Sequence, residues 1–156
     1  MENVTITISL DDIISRCRML ASYEGRDSTD TQGQSLYEAI VIADNDLPMI
    51  EGYLSQSLLS VRQNIDDMIK EVSQDTTTRT EVWTLRSIQR RYNPKGLTSL
   101  QTHIKEAASA MVMTAWLAFH GITERAEFYT ALSDNMMKLI IDNLYTKSAP
   151  QRPQQL

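Results

Sequence analysis

The sequence predicts a mainly α-helical fold, a bundle of about five helices with a short N-terminal strand and a β-hairpin or extended insertion around residues 73–97. Over most of the chain, apolar residues recur at intervals of three and four, the period of an amphipathic helix. Alternation at intervals of two is found at the N-terminus, where it indicates a strand. Capping and turn residues separate the segments.

Length and composition fit one globular domain. The chain has 156 residues, of which 42% are hydrophobic and 22% charged, so it can bury one core and wholesale disorder is not expected. We expect a single domain over residues 1–147. Residues 148–156 contain two prolines and three glutamines with little to bury, which predicts a flexible tail.

Charge and cysteine usage exclude several classes of protein. The net charge of -5 argues against a chain that coats nucleic acid or anionic lipid with its whole surface. Cys17 is the single cysteine, so no internal disulfide can form, and its place on an apolar helix stripe predicts a buried, inert thiol. The N-terminus lacks the pattern of a secretory signal, and no apolar run is long enough for a membrane span. We expect a cytoplasmic protein, or a virion component made in the host cytoplasm.

The first half of the chain predicts one strand and three helices. Alternating Val4, Ile6 and Ile8 form the strand. Ser9 then caps helix one, whose apolar stripe is Leu10, Ile13, Ile14, Cys17, Leu20 and Ala21. Residues 24–34 predict a loop, and Ser35 to Asp44 a second, central helix. Helix three restarts near Asp46 and Pro48, and its stripe continues for about seven turns to Val72.

The second half predicts the insertion and two further helices. The segment after Ser73 is polar and then β-like, and residues 93–96 close it as a turn. Helix four begins near Thr98 or Ser99 and ends before Gly121, a residue suited to a helix C-cap. Helix five begins near Thr123.

The supply of catalytic residues is poor, so we predict a protein that is not an enzyme and has no cofactor, metal or catalytic residue. His103 and His120 are the two histidines, and neither a phosphate-binding loop nor a nucleophile elbow is present. The alternative is an all-α, magnesium-dependent nucleotide hydrolase that uses helical carboxylates. Its candidate ligands are Asp44, Asp46, Glu51, Asp66, Asp67 and Glu71.

A basic cluster in the insertion is a stronger signal. Five positive charges and two aromatic residues lie within residues 79–95, opposed only by Glu81. Arginine and aromatic side chains are enriched in protein interfaces, which favours a protein partner. A small DNA-binding regulatory module, contacting phosphate through Arg86, Arg90 and Arg91, is the alternative. The interface candidates in this segment are Arg79, Trp83, Arg86, Arg90, Arg91, Tyr92 and Lys95.

Helices four and five carry more apolar residues than one stripe accounts for. Surplus apolar surface predicts contacts between subunits, whereas a tightly wrapped five-helix core is the alternative. The surplus residues are Met113, Trp116, Leu117, Phe128, Met137, Ile141 and Tyr145.

The C-terminal segment AWLAFHGITERAEFYTALSDNMMKLIIDNLYTK carries a pattern of small and aromatic residues, which comprises Ala115, Trp116, Gly121, Ala126, Phe128 and Tyr129. Together with the order of elements, it resembles the small head–tail connector (adaptor, ring or neck) proteins of tailed bacteriophages. The resemblance implies a structural virion subunit, a homo-oligomeric ring of about a dozen copies below the portal. It also implies contacts with portal and neck or tail proteins, possible contact of the 79–95 segment with DNA in the channel, and no contact with membrane.

Overall fold

The structure, a computed structural model, describes residues 4–27, 29, 32–86 and 94–145. Five helices and three strands are present in this part of the chain, so the predicted mainly α fold is confirmed. Two 3-10 turns, at Asp44–Asp46 and Asp66–Met68, flank the third helix. In chain order the elements are β1 (Val4–Ser9), α1 (Leu10–Asp27), α2 (Tyr37–Ile40), α3 (Leu47–Asn64), β2 (Ile69–Asp75), β3 (Thr80–Leu85), α4 (Pro94–Phe119) and α5 (Thr123–Tyr145).

Strand β1 passes directly into helix α1, as predicted. Ile6 and Ile8 are buried and Thr5 and Thr7 are exposed, so the strand has one apolar face. The Ser9 hydroxyl accepts a hydrogen bond from the Asp12 amide at 3.3 Å, which caps the helix. The buried side of α1 includes Ile13 and Cys17.

The three strands form an antiparallel sheet in the order β1-β3-β2. Ile6 pairs with Trp83 across one ladder, and Val72 pairs with Trp83 across the other, so the three side chains share one face. Trp83 and Leu85 on the central strand are fully buried. The predicted hairpin is therefore present, and it forms a sheet with the N-terminal strand.

Helix α4 lies at the centre of the fold and contacts α1, α3, α5 and β1. Its buried residues occupy all sides of the helix from Ile104 to Leu117. The buried side chains of the described residues form one cluster around it.

The turn between α4 and α5 is a Schellman motif, as the glycine predicts. Gly121 has φ of 75°, which favours glycine, and its amide donates to the Ala118 carbonyl at 3.0 Å. The Ile122 amide donates to the Leu117 carbonyl at 2.9 Å. Both bonds satisfy carbonyls at the end of α4, and α5 follows at Thr123.

The predicted loop at residues 24–34 is wrong in its first part, because α1 continues to Asp27. Gly25 is buried against α2, where a Cβ atom would lie 2.9 Å from the Tyr37 Cα. The close approach of the two backbones explains a glycine inside the helix.

The predicted second helix is much shorter than residues 35–44. Only Tyr37–Ile40 are helical, and Val41 is extended with ψ of 135°. The Ile40 carbonyl accepts a hydrogen bond at 2.6 Å from Nε1 of Trp116. The β-branched residues that follow favour extended backbone, and Ile42 is buried there. The predicted central position is wrong, because Ala39 and Ala43 of the apolar block are exposed.

The predicted third helix is also too long, because α3 ends at Asn64 and Val72 lies in strand β2. Met68 lies in the 3-10 turn and is buried, and Val72 lies in β2 and is half-buried. Both residues therefore continue the apolar spacing of helix three, although neither is in that helix. The Asp46 carboxylate accepts from the Ala43 amide at 2.9 Å and not from an amide of the helix.

The start predicted for helix four is wrong as well, because α4 begins at Pro94 and not at Thr98. Proline suits a first helical position, since its missing amide would have no partner there. Asn93 and the tail at 148–156 lie outside the described residues.

Replacing Gly25 by alanine should destabilise the fold by about 1–3 kcal/mol, because the new methyl group meets backbone that must move. The matched control is Gly52→Ala in α3, where an added Cβ meets nothing within 4 Å. That change should raise the free energy of unfolding of the monomer by up to about 1 kcal/mol, the difference in helix propensity. Chemical denaturation monitored by circular dichroism measures both, and equal effects of the two changes would contradict the close packing at Gly25.

Candidate interaction site

Exposed aromatic residues cluster at one end of the helical bundle. Phe119, Tyr23 and Phe128 are 60%, 55% and 48% exposed, the largest values among the large hydrophobic residues that the structure describes. They lie near the C-termini of α1 and α4 and the N-terminus of α5. We call the set of residues Tyr23, Arg26, Phe119, Arg125 and Phe128, which these helix ends carry, the aromatic end.

A carboxylate on α1 holds this end together. Both oxygens of Glu24 accept hydrogen bonds from Arg125 of α5, at 2.9 Å from Nε and 2.7 Å from Nη2. The Tyr129 hydroxyl donates to the same carboxylate at 3.0 Å. A two-pronged arginine–carboxylate pair fixes direction as well as distance, so α1 and α5 are held in a defined orientation.

The environment of this carboxylate keeps it charged. Burial by itself would raise the pKa of Glu24, but the hydrogen bonds from Arg125 and Tyr129 and the arginine charge outweigh burial and lower it. The pKa of Tyr129 is raised, by burial first and then by the negative charge of Glu24. Tyr129 therefore stays a neutral donor to an ionised acceptor.

Two arginines lie over exposed rings at the aromatic end. The Arg125 guanidinium is 4.2 Å from the centre of the Phe128 ring, and that of Arg26 is 5.8 Å from the centre of the Tyr23 ring. Such cation–π contacts limit the freedom of both side chains. The rings are thus exposed but held in position.

The third exposed ring, Phe119, packs on its own helix. Its ring centre lies 5.2 Å from that of His120, edge to face, and 6.3 Å from that of buried Trp116. Burial lowers the pKa of His120, against the opposing effect of the Asp46 charge. The side of Phe119 away from these residues is open to solvent.

The predicted basic cluster does not form a single surface in the described part of the chain. Arg79 forms two ion pairs with acidic residues of its own chain, with Asp11 at 2.6 Å and with Glu51. Its backbone has φ of 53°, and its carbonyl accepts from the Leu10 amide at 3.0 Å. Arg79 thus ties the hairpin turn to α1 and α3.

The remaining members of that cluster have different positions. Trp83 is fully buried and donates to Glu81 at 3.0 Å, so its predicted place in an interface is wrong. Arg86 is exposed after β3. Three members, Arg90, Arg91 and Tyr92, lie outside the described residues, and Lys95 is described only as part of the α4 backbone.

The prediction that helix four has surplus surface is wrong for three residues. Met113, Trp116 and Leu117 are each at most 1% exposed, because neighbouring elements cover α4 on every side. Met137 on α5 is also buried, beside Ser133 and Ile140 on the face toward α4.

The other predicted residues of helix five differ from these. Ile141 is half-buried, whereas Phe128 is exposed as expected. For Tyr145 the structure describes the backbone only.

Five residues of the site are absent from the predicted candidates. The predicted loop at residues 24–34 contains Glu24 and Arg26 and leaves Tyr23 at the end of helix one, and Phe119 belongs to the apolar pattern of helix four. Arg125 was read only as part of a capped helix start. The spacing of Tyr23 and Arg26 by three residues on one helix face was the available signal.

Two of the carboxylates that were candidate magnesium ligands are paired with arginines. Glu51 is bound by Arg79, and Asp44 by Arg18 at 2.7 Å. Within the described ranges, no group of three or more histidine, cysteine or acidic side chains is placed to hold a metal ion.

In the same part of the chain, none of the helices has the length and apolarity needed to cross a membrane.

Replacing Glu24 by glutamine should destabilise the fold by about 1–3 kcal/mol at pH 7, because the charged acceptor of Arg125 and Tyr129 is lost. The folded-state pKa of Glu24 is lowered, so its contribution is present above the ordinary glutamate pKa of about 4.3 and is lost as pH falls through the folded value. Urea denaturation from pH 7 to pH 3 should show the two proteins converging in acid. Glu127→Gln, at an exposed site on α5, is the control, and a constant difference across pH would contradict the assignment.

Comparison of the chain with protein-family models, curated proteins and solved structures finds no match.

Proposed function

We propose that this protein is a structural subunit that acts by binding other protein subunits through its aromatic end. The observation that supports this most directly is the exposure of Tyr23, Phe119 and Phe128 together at one end of the bundle. Burial of three large rings is favourable, and this free energy is not gained while they are exposed to water. A partner that covers the rings would gain it as binding free energy.

The chemistry of the aromatic end matches that of energetically important interface residues. Aromatic and arginine side chains are enriched among residues whose truncation weakens binding most. At this end Arg125 lies over the Phe128 ring and is also bound to Glu24, so its side chain would lose little freedom on binding. A pre-ordered patch of this kind favours a protein partner.

The specific assembly that we propose is a head–tail connector of a tailed bacteriophage. Phe128 and Gly121, which carry the resemblance to that class, belong to the aromatic end and to the turn beside it. In this assembly the chain forms a ring with other copies, contacts portal and neck proteins, and lies in the virion. Exposed Arg86, at the end of the hairpin, would face the next subunit or DNA.

The double variant Phe119→Ser/Phe128→Ser should fold but fail to assemble. Both side chains are largely exposed, so their loss removes binding surface with little effect on the core. The wild-type chain and the variant are each purified alone and after co-expression with proteins encoded by neighbouring genes. Light scattering and electron microscopy should show rings for the wild type and monomers for the variant.

Leu139→Ser, at an exposed residue in the middle of α5, is the matched control and should assemble like the wild type. A wild-type chain that is strictly monomeric alone and with those proteins would count against the proposal, as would normal assembly of the double variant. Genes for portal, terminase and tail proteins beside the coding gene would support it.

A further inference from the structure

The solvent-facing side of helix α3 has an unusual composition: it carries no charge. Its position opposite buried Ile50, Leu54 and Leu58 makes it the outer face of the helix. Exposed helix faces of soluble proteins are normally rich in charge, whereas the centres of interfaces are depleted of it. The exposed residues of α3 are Pro48, Met49, Gly52, Ser55, Gln56, Leu59, Gln63 and Asn64.

The two charges that α3 does carry are engaged with other elements. Glu51 is bound by Arg79 of the hairpin turn, and Arg62 is bound to buried Glu81 of β3. Both lie toward one flank of the helix, away from the centre of the outer face. The Glu51 side chain is 46% exposed on that flank, whereas the face on which Met49 and Leu59 are 39% and 45% exposed has no charged residue of α3.

Gly52 lies at the centre of this face, and nothing in the described part of the chain explains it. An added Cβ would meet nothing within 4 Å, and the residue is in the interior of a helix, where glycine is unfavourable relative to alanine. Gly25, by contrast, is excluded from bearing a side chain by the backbone at Tyr37. The open space at Gly52 would allow close approach by the surface of another molecule.

We propose that the outer face of α3 binds the same face of a second copy of this chain, with the two helices antiparallel. Leu59 lies seven residues after Gly52 on the same side of the helix, a separation of about 10.5 Å along the axis. In an antiparallel pair centred between Ser55 and Gln56, each Leu59 side chain enters the notch left by the partner copy's glycine. The contact occurs twice by symmetry.

Charge favours a second copy over an oppositely charged partner. A chain with net charge of -5 repels its own copies over most of its surface, and the uncharged face of α3 is where two copies approach with least repulsion. The same face offers no charge to attract a basic or acidic partner. Gln56 lies near the two-fold axis, where amide groups can donate to and accept from each other.

This pairing is separate from the proposed function. A two-fold contact uses the same patch on both copies and closes on itself, so it cannot build a ring of many subunits. The pair would be a form of the free subunit, and it shares no residue with the aromatic end. One helix pair buries little surface, so we expect a dissociation constant on the order of micromolar.

Sedimentation equilibrium of the wild-type chain from about 1 to 500 µM should show a reversible dimer in that range. Leu59→Lys should raise the dissociation constant at least about tenfold, because two ammonium groups would have to enter the pair. Leu139→Lys is the matched control, at a leucine of similar exposure on another helix, and should leave the constant unchanged. A wild type that stays monomeric throughout, or a dimer equally sensitive to both changes, would overturn the pairing.

The substitution Gly52→Ala distinguishes loss of the dimer contact from destabilisation of the monomer. The methyl group fills the notch, so self-association should weaken about tenfold, while the melting temperature of the dilute monomer should rise. Unchanged association of this variant would also overturn the pairing. Because the Phe119→Ser/Phe128→Ser variant keeps the α3 face, loss of ring assembly with retention of the dimer would show the two proposals to be independent.

Discussion

The structure depends on burial of helix α4 on all of its sides. Ile104, Met113 and Leu117 point in different directions from the helix axis, and all are fully buried. A helix that is apolar all round must be surrounded, and α1, α3, α5 and strand β1 contact it. Alanine and serine at positions 107–110 let α1 approach closely, so that the Cys17 thiol reaches the Ser109 carbonyl at 3.7 Å. That burial raises the pKa of Cys17 to about 12, which makes the thiol neutral and inert.

Complete coverage of α4 determines where the remaining apolar surface can be. The Trp116 indole N–H donates a hydrogen bond to the Ile40 carbonyl, so the end of the short helix α2 is also part of the cover. The surplus that the sequence suggests for helix four is therefore taken up within the chain. What remains exposed is at the ends and outer faces of the bundle, where Phe119, Phe128 and Leu59 lie.

Local signals in the sequence were sufficient for β1, for the start of α1 and for the turn at Gly121, because each depends on neighbours along the chain. The ends of helices two and three were not predictable in the same way. Val72 continues the helical spacing of α3, yet it pairs with β3, a strand still to come in the sequence. Phe128 could be identified from its helix face. The spacing of Tyr23 and Arg26 gives a local signal for their contact, but the exposure of Tyr23 depends on how α1 meets α5 through Glu24.

The two exposed surfaces differ in chemistry, and that difference implies different partners. The aromatic end combines rings with arginines held by a carboxylate, so it can recognise a surface of different composition through directional contacts. The outer face of α3 has neither charge nor aromatic side chains, and in the proposed pair Leu59 of one copy meets Gly52 of the other. A surface complementary to itself favours an identical copy, and one with directional charge favours a different surface. The two proposed contacts use different kinds of recognition on separate elements, so a substitution that removes one of them need not affect the other.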